Sequence, residues 1–293
     1  MFWRTAAALI KTMRPHQWIK NGLLFTALIF DRKLTDVPAL LNTLAGFFLF
    51  SLIASTVYII NDLADVEADR QHPKKRNRPI AAGKLPPSVA RAAAILIPLV
   101  VLPLSYLLDP WFALVTLLYF VLNLLYSSWL KHVPLIDVFV LASFYVLRVV
   151  AGVTLIEVER FSPWLYVVTT LLALYIGFGK RRAELALLAE NADAHRRVLK
   201  GYTLPLLDQF ITIVSATTIV AYSLYTFSAP NLPENHSMML TIPFAFYGIF
   251  RYLYLVQMKH SGGAPEEVLF TDRPLQVTVV LWGLAVVLIF YLH

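Results

Sequence analysis

The chain has 293 residues, of which 58% are hydrophobic and only 15% are charged. This composition is far more apolar than that of a soluble domain, and the apolar runs are too long and too numerous for a soluble core. The sequence contains no cysteine, which excludes disulfide bonds, thiolate metal sites and a cysteine nucleophile. An all-α, polytopic membrane protein is therefore predicted.

Apolar segments predict nine transmembrane helices that form a single membrane domain over residues 1–293. The predicted spans are 18–30, 39–61, 89–108, 111–130, 135–155, 163–179, 205–228, 238–258 and 275–292. The first span is short and the sixth is only marginally apolar, so the other seven carry the strongest signal. Arg4, Lys11 and Arg14 interrupt the N-terminal region, so no cleavable signal peptide is expected.

The positive charge predicts how the chain is oriented in the membrane. Lys and Arg number 25 against 18 Asp and Glu, a net charge of +7. With the N-terminus in the cytoplasm, most of these cations fall inside, many of them in two long connections at about 62–88 and 180–204. Only Arg32, Lys33 and Arg160 fall outside. The excess is therefore interpreted as topology and anionic headgroups in a cell (inner) membrane, and not as a nucleic-acid surface.

The second span ends in a cluster of aspartates. They are Asp62, Asp65 and Asp69, with Asn61 before them. In a helix their i, i+3, i+7 spacing places all three carboxylates on one face. Like charges on one stripe repel each other unless a cation lies between them, and carboxylate oxygens favour Mg²⁺, with Mn²⁺ as a substitute. The segment therefore predicts a divalent metal site.

The basic residues that follow the aspartates point to a phosphate-containing ligand. Pro73 is expected to end the helix, and the loop beyond it carries Lys74, Lys75, Arg76 and Arg78. A carboxylate-held metal beside several cations is an arrangement that binds a diphosphate. The alternative is a solvated, charged helix end followed by a cytoplasmic loop.

Ionisable residues within the spans are further candidates, because a charge at membrane depth is costly unless it faces a partner or a wet cavity. They are Asp137, Arg148, Asp208 and Arg251, and Tyr126 and Lys131 lie near the inner end of the fourth span. Asp137 and Arg148 are eleven positions apart and so share a helix face. These groups either line a cavity or hold helices together, for example as Asp208–Arg251 or Asp137–Lys131 pairs.

The second long connection begins with Lys180, Arg181 and Glu184, and its apolar residues recur at helical spacing. It is interpreted either as a substrate-binding segment or as an interfacial helix with snorkelling cations. The three residues nearest the membrane are the candidates for substrate contact.

Asn61-Asp62-x-x-Asp65-x-x-x-Asp69 resembles the first aspartate-rich motif of the UbiA superfamily of intramembrane prenyltransferases, and the resemblance covers essentially the whole chain. It implies a nine-helix bundle. The run from Arg14 to Asn21, the run from His72 to Gly83, and Gly179–Glu184 are similar to the branch of the superfamily that transfers phosphoribose to a decaprenyl-type phosphate. The second connection departs from the prenyl-transferring members, because its acidic residues lack their DxxxD-type spacing.

The resemblance implies transfer of 5-phosphoribose from phosphoribosyl pyrophosphate to a polyprenyl phosphate lipid, on the cytoplasmic side. Asp62, Asp65 and Asp69 would hold Mg²⁺, and the basic loop would bind the diphosphate. Lys180 and Arg181 compete with Lys20 and Asn21 for the remaining phosphates. The rival hypotheses are prenyl transfer to an aromatic acceptor and a non-enzymatic transporter. An oligomer is compatible with the sequence.

Overall fold

A computed structural model describes residues 2–73, 75–157, 163–190, 197–229, 232–258, 268 and 271–292. Every regular element that it describes in these ranges is a helix, in agreement with the predicted all-α class. The α-helices are α1 (Phe2–Met13), α2 (Phe25–Phe30), α3 (Val37–Ala64), α4 (Val66–Gln71), α5 (Pro87–Leu108), α6 (Pro110–Ser128), α7 (Ile136–Thr154), α8 (Pro163–Glu190), α9 (Leu204–Ser228), α10 (Ile242–Met258) and α11 (Arg273–Leu292). Short 3₁₀ helices cover Pro15–Leu24, Lys75–Asn77, Leu130–His132, Arg197–Gly201 and Ser237–Thr241.

Seven segments of the described chain are helical, long and apolar enough to cross a membrane. They contain α3, α5, α6, α7, α9, α10 and α11, and they match the seven predicted spans with the strongest signal. The predicted total of nine is not confirmed. Helix α8 is long enough, but its apolar stretch runs directly into charged residues from Lys180 onward.

The first predicted span, 18–30, is not one α-helix. It consists of the 3₁₀ helix Pro15–Leu24 and the six-residue helix α2. A 3₁₀ run of this length is unusual and needs tertiary support. Helix α7 supplies support through Gly152, where an added Cβ would lie 2.0 Å from the Leu24 carbonyl oxygen. Only glycine allows this close approach, which holds the segment against α7.

The chain divides into two compact units, and α7 contributes residues to each. The first contains Met1–Ile29, Lys33–Ser128 and Leu147–Glu157. In it α3 packs against α1, α5, α6 and the Pro15–Leu24 helix. At the end of α3 that carries the aspartates, Ala8 of α1 packs in a buried cluster with Ile59 and Leu85.

The second unit contains Phe30–Arg32, Trp129–Val146 and the described residues from 163 onward. Helix α8 packs against α9 and α10, and α10 packs against α11. Its buried cluster includes Tyr175, Phe178, Leu207 and Ile211. The Tyr175 hydroxyl donates a 2.7 Å hydrogen bond to the Ile249 carbonyl oxygen, so this core is tied by polar as well as apolar contacts.

Candidate active site

The aspartate segment lies where α3 gives way to α4 in the first unit. The backbone hydrogen bonds run on through this junction, from the Asp65 N–H to the Asn61 oxygen and from the Asp69 N–H to the Asp65 oxygen. Asp62 and Asp69 are each only 2% exposed. Asp65, whose φ and ψ are −95° and 7°, is exposed. Two of the three carboxylates therefore share a buried face, and the third points to the surface because the helix is interrupted at Asp65.

Two arginines bind the buried aspartates. An Arg14 Nη2 donates to Asp62 Oδ1 at 2.7 Å. An Arg78 Nη1 lies 3.1 Å from the same oxygen and 2.7 Å from Asp69 Oδ2. Arg78 thus bridges residues seven apart, which confirms that Asp62 and Asp69 lie on one face. The four side chains form a compact cluster whose two negative charges are balanced by two positive ones.

Arg14 reaches this cluster from a strained backbone position. It precedes the Pro15–Leu24 helix with φ 54° and ψ 62°, in the left-handed region that non-glycine residues rarely adopt. Its guanidinium also lies 4.9 Å from the centre of the Tyr58 ring, within cation–π range. From the sequence, Arg14 belongs to the basic N-terminal region and to the run from Arg14 to Asn21, and nothing there joins it to the aspartates. Its position directly before Pro15 is the one local signal of an unusual conformation.

The basic loop is divided between two roles. Lys75 and Arg76 are exposed, whereas Arg78 turns inward to the aspartates. Lys74 lies outside the described residues. Asn61 and Lys20 are partly exposed, at positions within the first unit. The loop therefore presents some cations to solvent and uses another to neutralise the carboxylates.

A second polar cluster of the first unit is centred on Arg148. Its Nε donates to Asn21 Oδ1 at 2.8 Å, and its Nη2 donates to the Tyr119 hydroxyl at 2.9 Å. The Asn21 amide in turn donates to Ser51 Oγ at 2.9 Å. Arg148, Asn21 and Ser51 are all buried. These contacts tie α7 to the Pro15–Leu24 helix and to α3, so Arg148 holds elements together.

The second unit contains a separate cluster around Asp137. Arg181, which is 1% exposed, donates from Nε to Asp137 Oδ2 at 2.6 Å and pairs with Glu184 at 2.5 Å. The Tyr202 hydroxyl donates to Asp137 Oδ1 at 2.6 Å and accepts from the Leu135 N–H at 2.6 Å. Burial raises the pKa of the Tyr202 phenol, and its hydrogen bond to Asp137 raises that pKa further. The phenol therefore remains a donor at neutral pH.

The other ionisable residues in the spans form ion pairs that differ from the expected ones. Asp208 pairs with Arg182 at 2.6 Å, and Arg251 pairs with Asp272 at 2.7 Å. The suggested Asp208–Arg251 and Asp137–Lys131 pairs are therefore wrong. Lys180 and Tyr126 are both partly exposed. Spacing along the sequence could not reveal these partners, because each lies on another segment.

The carboxylates of Asp62 and Asp69 fit an Mg²⁺ ion that takes its other ligands from water and a substrate. No group of three or more His, Asp or Glu side chains within the described ranges is arranged to hold a metal by itself. Mg²⁺, however, is often bound by one or two carboxylates together with water and substrate phosphates. Two buried aspartates beside two arginines match that pattern.

Comparison with known proteins gives consistent matches over most of the chain. Residues 23–272 match the model of the UbiA prenyltransferase family. The chain is 35% identical to a decaprenyl-phosphate phosphoribosyltransferase of Mycobacterium tuberculosis over 281 residues, which are 94% of this chain and 92% of the relative. It is 34% identical to the protein of that name from Corynebacterium glutamicum, over 98% of this chain and 88% of the relative.

Solved structures show the same fold. A UbiA homologue from Archaeoglobus fulgidus, solved with DMAPP and Mg²⁺, matches with a TM-score of 0.71. The match covers 95% of this chain and 98% of that chain, at 19% sequence identity. The helical arrangement is thus retained although the sequences have diverged widely.

Proposed function

The chain belongs to the UbiA prenyltransferase family, and from this premise we propose that it transfers 5-phosphoribose from phosphoribosyl pyrophosphate to a polyprenyl phosphate, releasing diphosphate. One observation carries the proposal. The similarity to proteins named decaprenyl-phosphate phosphoribosyltransferase extends over nearly the full length, and it therefore includes both charged connections. A lipid substrate is consistent with an integral membrane protein, in which seven described helices are long and apolar enough to cross the bilayer.

Asp62 and Asp69 would hold the divalent metal, and Asp65 and Asn61 would lie beside it. Mg²⁺ bound there would neutralise charge on the leaving diphosphate. The Mg²⁺-bound structure of the Archaeoglobus homologue supports a divalent metal in a protein of this fold. Arg14 and Arg78, which neutralise the carboxylates in this structure, would turn their guanidiniums to the diphosphate when it arrives.

In the reaction, an oxygen of the polyprenyl phosphate attacks C1 of the ribose. A new C1–O bond forms as the bond from C1 to the diphosphate oxygen breaks, and the electron pair leaves with the diphosphate. The attacking oxygen is already anionic, so the step needs no general base. Lys75, Arg76 and Arg78 would stabilise the charge that develops on the leaving group.

The remaining phosphates need contacts of their own. Lys180 is the candidate in the second unit, because Arg181 is buried against Asp137 and Glu184. Lys20 is the candidate in the first unit, while Asn21 orients Arg148. We place the active site on the cytoplasmic side of the cell membrane, because the N-terminal region and both charged connections carry most of the cations.

The test is a substrate comparison with purified full-length protein. Labelled phosphoribosyl pyrophosphate plus a polyprenyl phosphate should yield diphosphate and a phosphoribosylated lipid when Mg²⁺ is present. Prenyl diphosphates with aromatic acids form the second arm, since the family model and the DMAPP-bound homologue keep prenyl transfer as the rival activity. Turnover in the second arm alone would overturn the phosphoribosyl proposal and leave the fold assignment intact.

A further inference from the structure

Helix α1 lies at one end of the membrane-spanning helices. It has 12 residues and is about 18 Å long, too short for a hydrocarbon core of about 30 Å. Its Ala8 is buried in a cluster with Ile59, near the end of α3, and with Leu85 and Ala90 around the start of α5. The end of one span and the start of the next mark a membrane boundary, so α1 lies at that boundary.

The outward side of α1 has the pattern of an interfacial helix. Trp3 is 82% exposed and Ile10 is 57% exposed, and they lie on one stripe because they are two helical turns apart. Arg4 and Lys11, also seven residues apart, form an exposed basic edge beside that stripe. Apolar and aromatic residues next to cations are typical of helices that lie in the membrane–water interface.

The basic edge of α1 borders a cleft. The cleft has a volume of about 440 Å³ and is lined by Arg4, Thr5, Gly83, Lys84 and Pro86. Gly83 has φ 69°, a left-handed conformation that glycine adopts readily, and it forms part of the turn beside the cleft. The N–H groups of Lys84 and Leu85 both donate hydrogen bonds to the Pro79 carbonyl oxygen. Within the described part of the chain, neither Arg4 nor Lys84 pairs with a carboxylate, and no acidic residue lines the cleft. Its two side-chain charges are therefore both positive.

We propose that this cleft binds the phosphate of an anionic phospholipid headgroup, while Trp3 and Ile10 insert beside the acyl chains. A phosphate between Arg4 and Lys84 would be met by two cations at the level where headgroups lie. The exposed Trp3 stripe favours a lipid over a free phosphate, because a soluble anion gains nothing from an adjacent apolar face. The aspartates of the candidate active site take no part in this binding.

The experiment measures lipid binding by the full-length protein in detergent, using phosphatidylglycerol and phosphatidylcholine as probes and native mass spectrometry as the readout. The wild type should prefer phosphatidylglycerol. The Arg4→Gln, Lys84→Gln double variant should bind it about 10- to 30-fold more weakly, the scale of two cations near an anionic surface. Arg91→Gln removes an exposed cation from the same end of α5 and should change nothing.

Two further arms separate the sources of the phosphate. Trp3→Ala should weaken the binding of both lipids, and inorganic phosphate should not displace phosphatidylglycerol at equal concentration. Undiminished phosphatidylglycerol binding by the double variant would overturn the proposal. Binding of inorganic phosphate as tight as that of phosphatidylglycerol would also overturn it. So would an increase in the KM of the double variant for phosphoribosyl pyrophosphate without a change in its lipid binding. Either result would make the cleft a site for soluble phosphates.

Discussion

Asp62 already has two guanidinium groups near one oxygen before any metal binds. Arg14 and Arg78 lie 2.7 and 3.1 Å from Oδ1, and the Asp62 side chain is almost fully buried. A buried carboxylate without such partners would strongly destabilise the folded protein, so the arginines stabilise the substrate-free site. A cation that arrives alone must displace them. A cation that arrives with a diphosphate brings the arginines a new partner.

This arrangement predicts that metal and diphosphate bind together. Mn²⁺ alone should bind the wild-type protein weakly, and pyrophosphate should strengthen its binding. Arg14→Gln removes one competing cation, so it should raise the affinity for Mn²⁺ alone roughly three- to tenfold, about 0.7–1.4 kcal/mol, and lower the affinity for phosphoribosyl pyrophosphate. Electron paramagnetic resonance of free Mn²⁺ measures the first effect. Arg70→Gln, which removes the partner of the exposed Glu67, is the control. Weaker Mn²⁺ binding by Arg14→Gln would show that Arg14 supports the metal site instead of competing with it.

The aspartates themselves give a second prediction. Asp62→Asn or Asp69→Asn should lower turnover by about 10² or more, equal to roughly 2.7 kcal/mol of barrier, because each removes a buried carboxylate that is proposed to hold the metal. EDTA should abolish activity and Mg²⁺ should restore it. Glu67→Gln removes an exposed carboxylate from α4 and should retain activity. Asp65→Asn is informative too: a loss as large as that of Asp62→Asn would mean that the exposed Asp65 turns inward in the metal-bound state. Full activity of the Asp62 and Asp69 variants in chelator would refute the metal role.

At the scale of single elements, hydropathy predicts the helices that lipid requires and misses those that depend on specific contacts. The seven strongest spans are correct because apolar length alone determines them. The Pro15–Leu24 helix could not be predicted, because its geometry depends on Gly152 in α7 and on the hydrogen bond between Arg148 and Asn21. The i, i+7 spacing correctly joined Asp62 and Asp69. It failed for Asp65 because nothing in the spacing marks the break between α3 and α4.

The connection between α8 and α9 gives a prediction at this scale. Tyr202 fastens its C-terminal end to the start of α7 through Asp137, which Arg181 of α8 also binds. Leu135, just before α7, has a φ of 68°. Arg181→Ala leaves Asp137 buried without its cation and should destabilise the protein by about 3–5 kcal/mol. Tyr202→Phe should cost about 1–3 kcal/mol, because the Leu135 N–H loses its acceptor.

Thermal unfolding in detergent measures both changes, and Lys180→Ala is the matched comparison. Lys180→Ala should keep a melting temperature close to that of the wild type and weaken the use of phosphoribosyl pyrophosphate or lipid phosphate by about 1.5–3 kcal/mol. If Arg181→Ala instead melts normally and loses only substrate affinity, Arg181 contacts the substrate as the sequence first suggested.

For the whole molecule, the distribution of charge predicts which side of the membrane each charged segment occupies. The N-terminal region and the connections at about 62–88 and 180–204 carry most of the Lys and Arg residues. The positive-inside rule therefore predicts a cytoplasmic location for all three. The helices fix how many times the chain can cross between these regions. The predicted topology puts the start of α5 and the segment between α9 and α10 on opposite sides of the membrane. The chain must therefore cross the membrane an odd number of times between them.

The cysteine-free sequence makes this topology directly testable. Single cysteines at Ser88, in the first turn of α5, and at Glu234, between α9 and α10, are both at exposed positions. Glu234 is preferable to the nearby Ser237, whose hydroxyl oxygen is buried. An impermeant thiol reagent added to intact cells should label the Glu234→Cys protein and should reach the Ser88→Cys protein only after the membrane is opened. Both variants should be labelled equally in detergent, which controls for accessibility. Labelling of both from the same side would mean that α8 does not cross the bilayer, because α5, α6, α7 and α9 alone make an even number of crossings between the two sites.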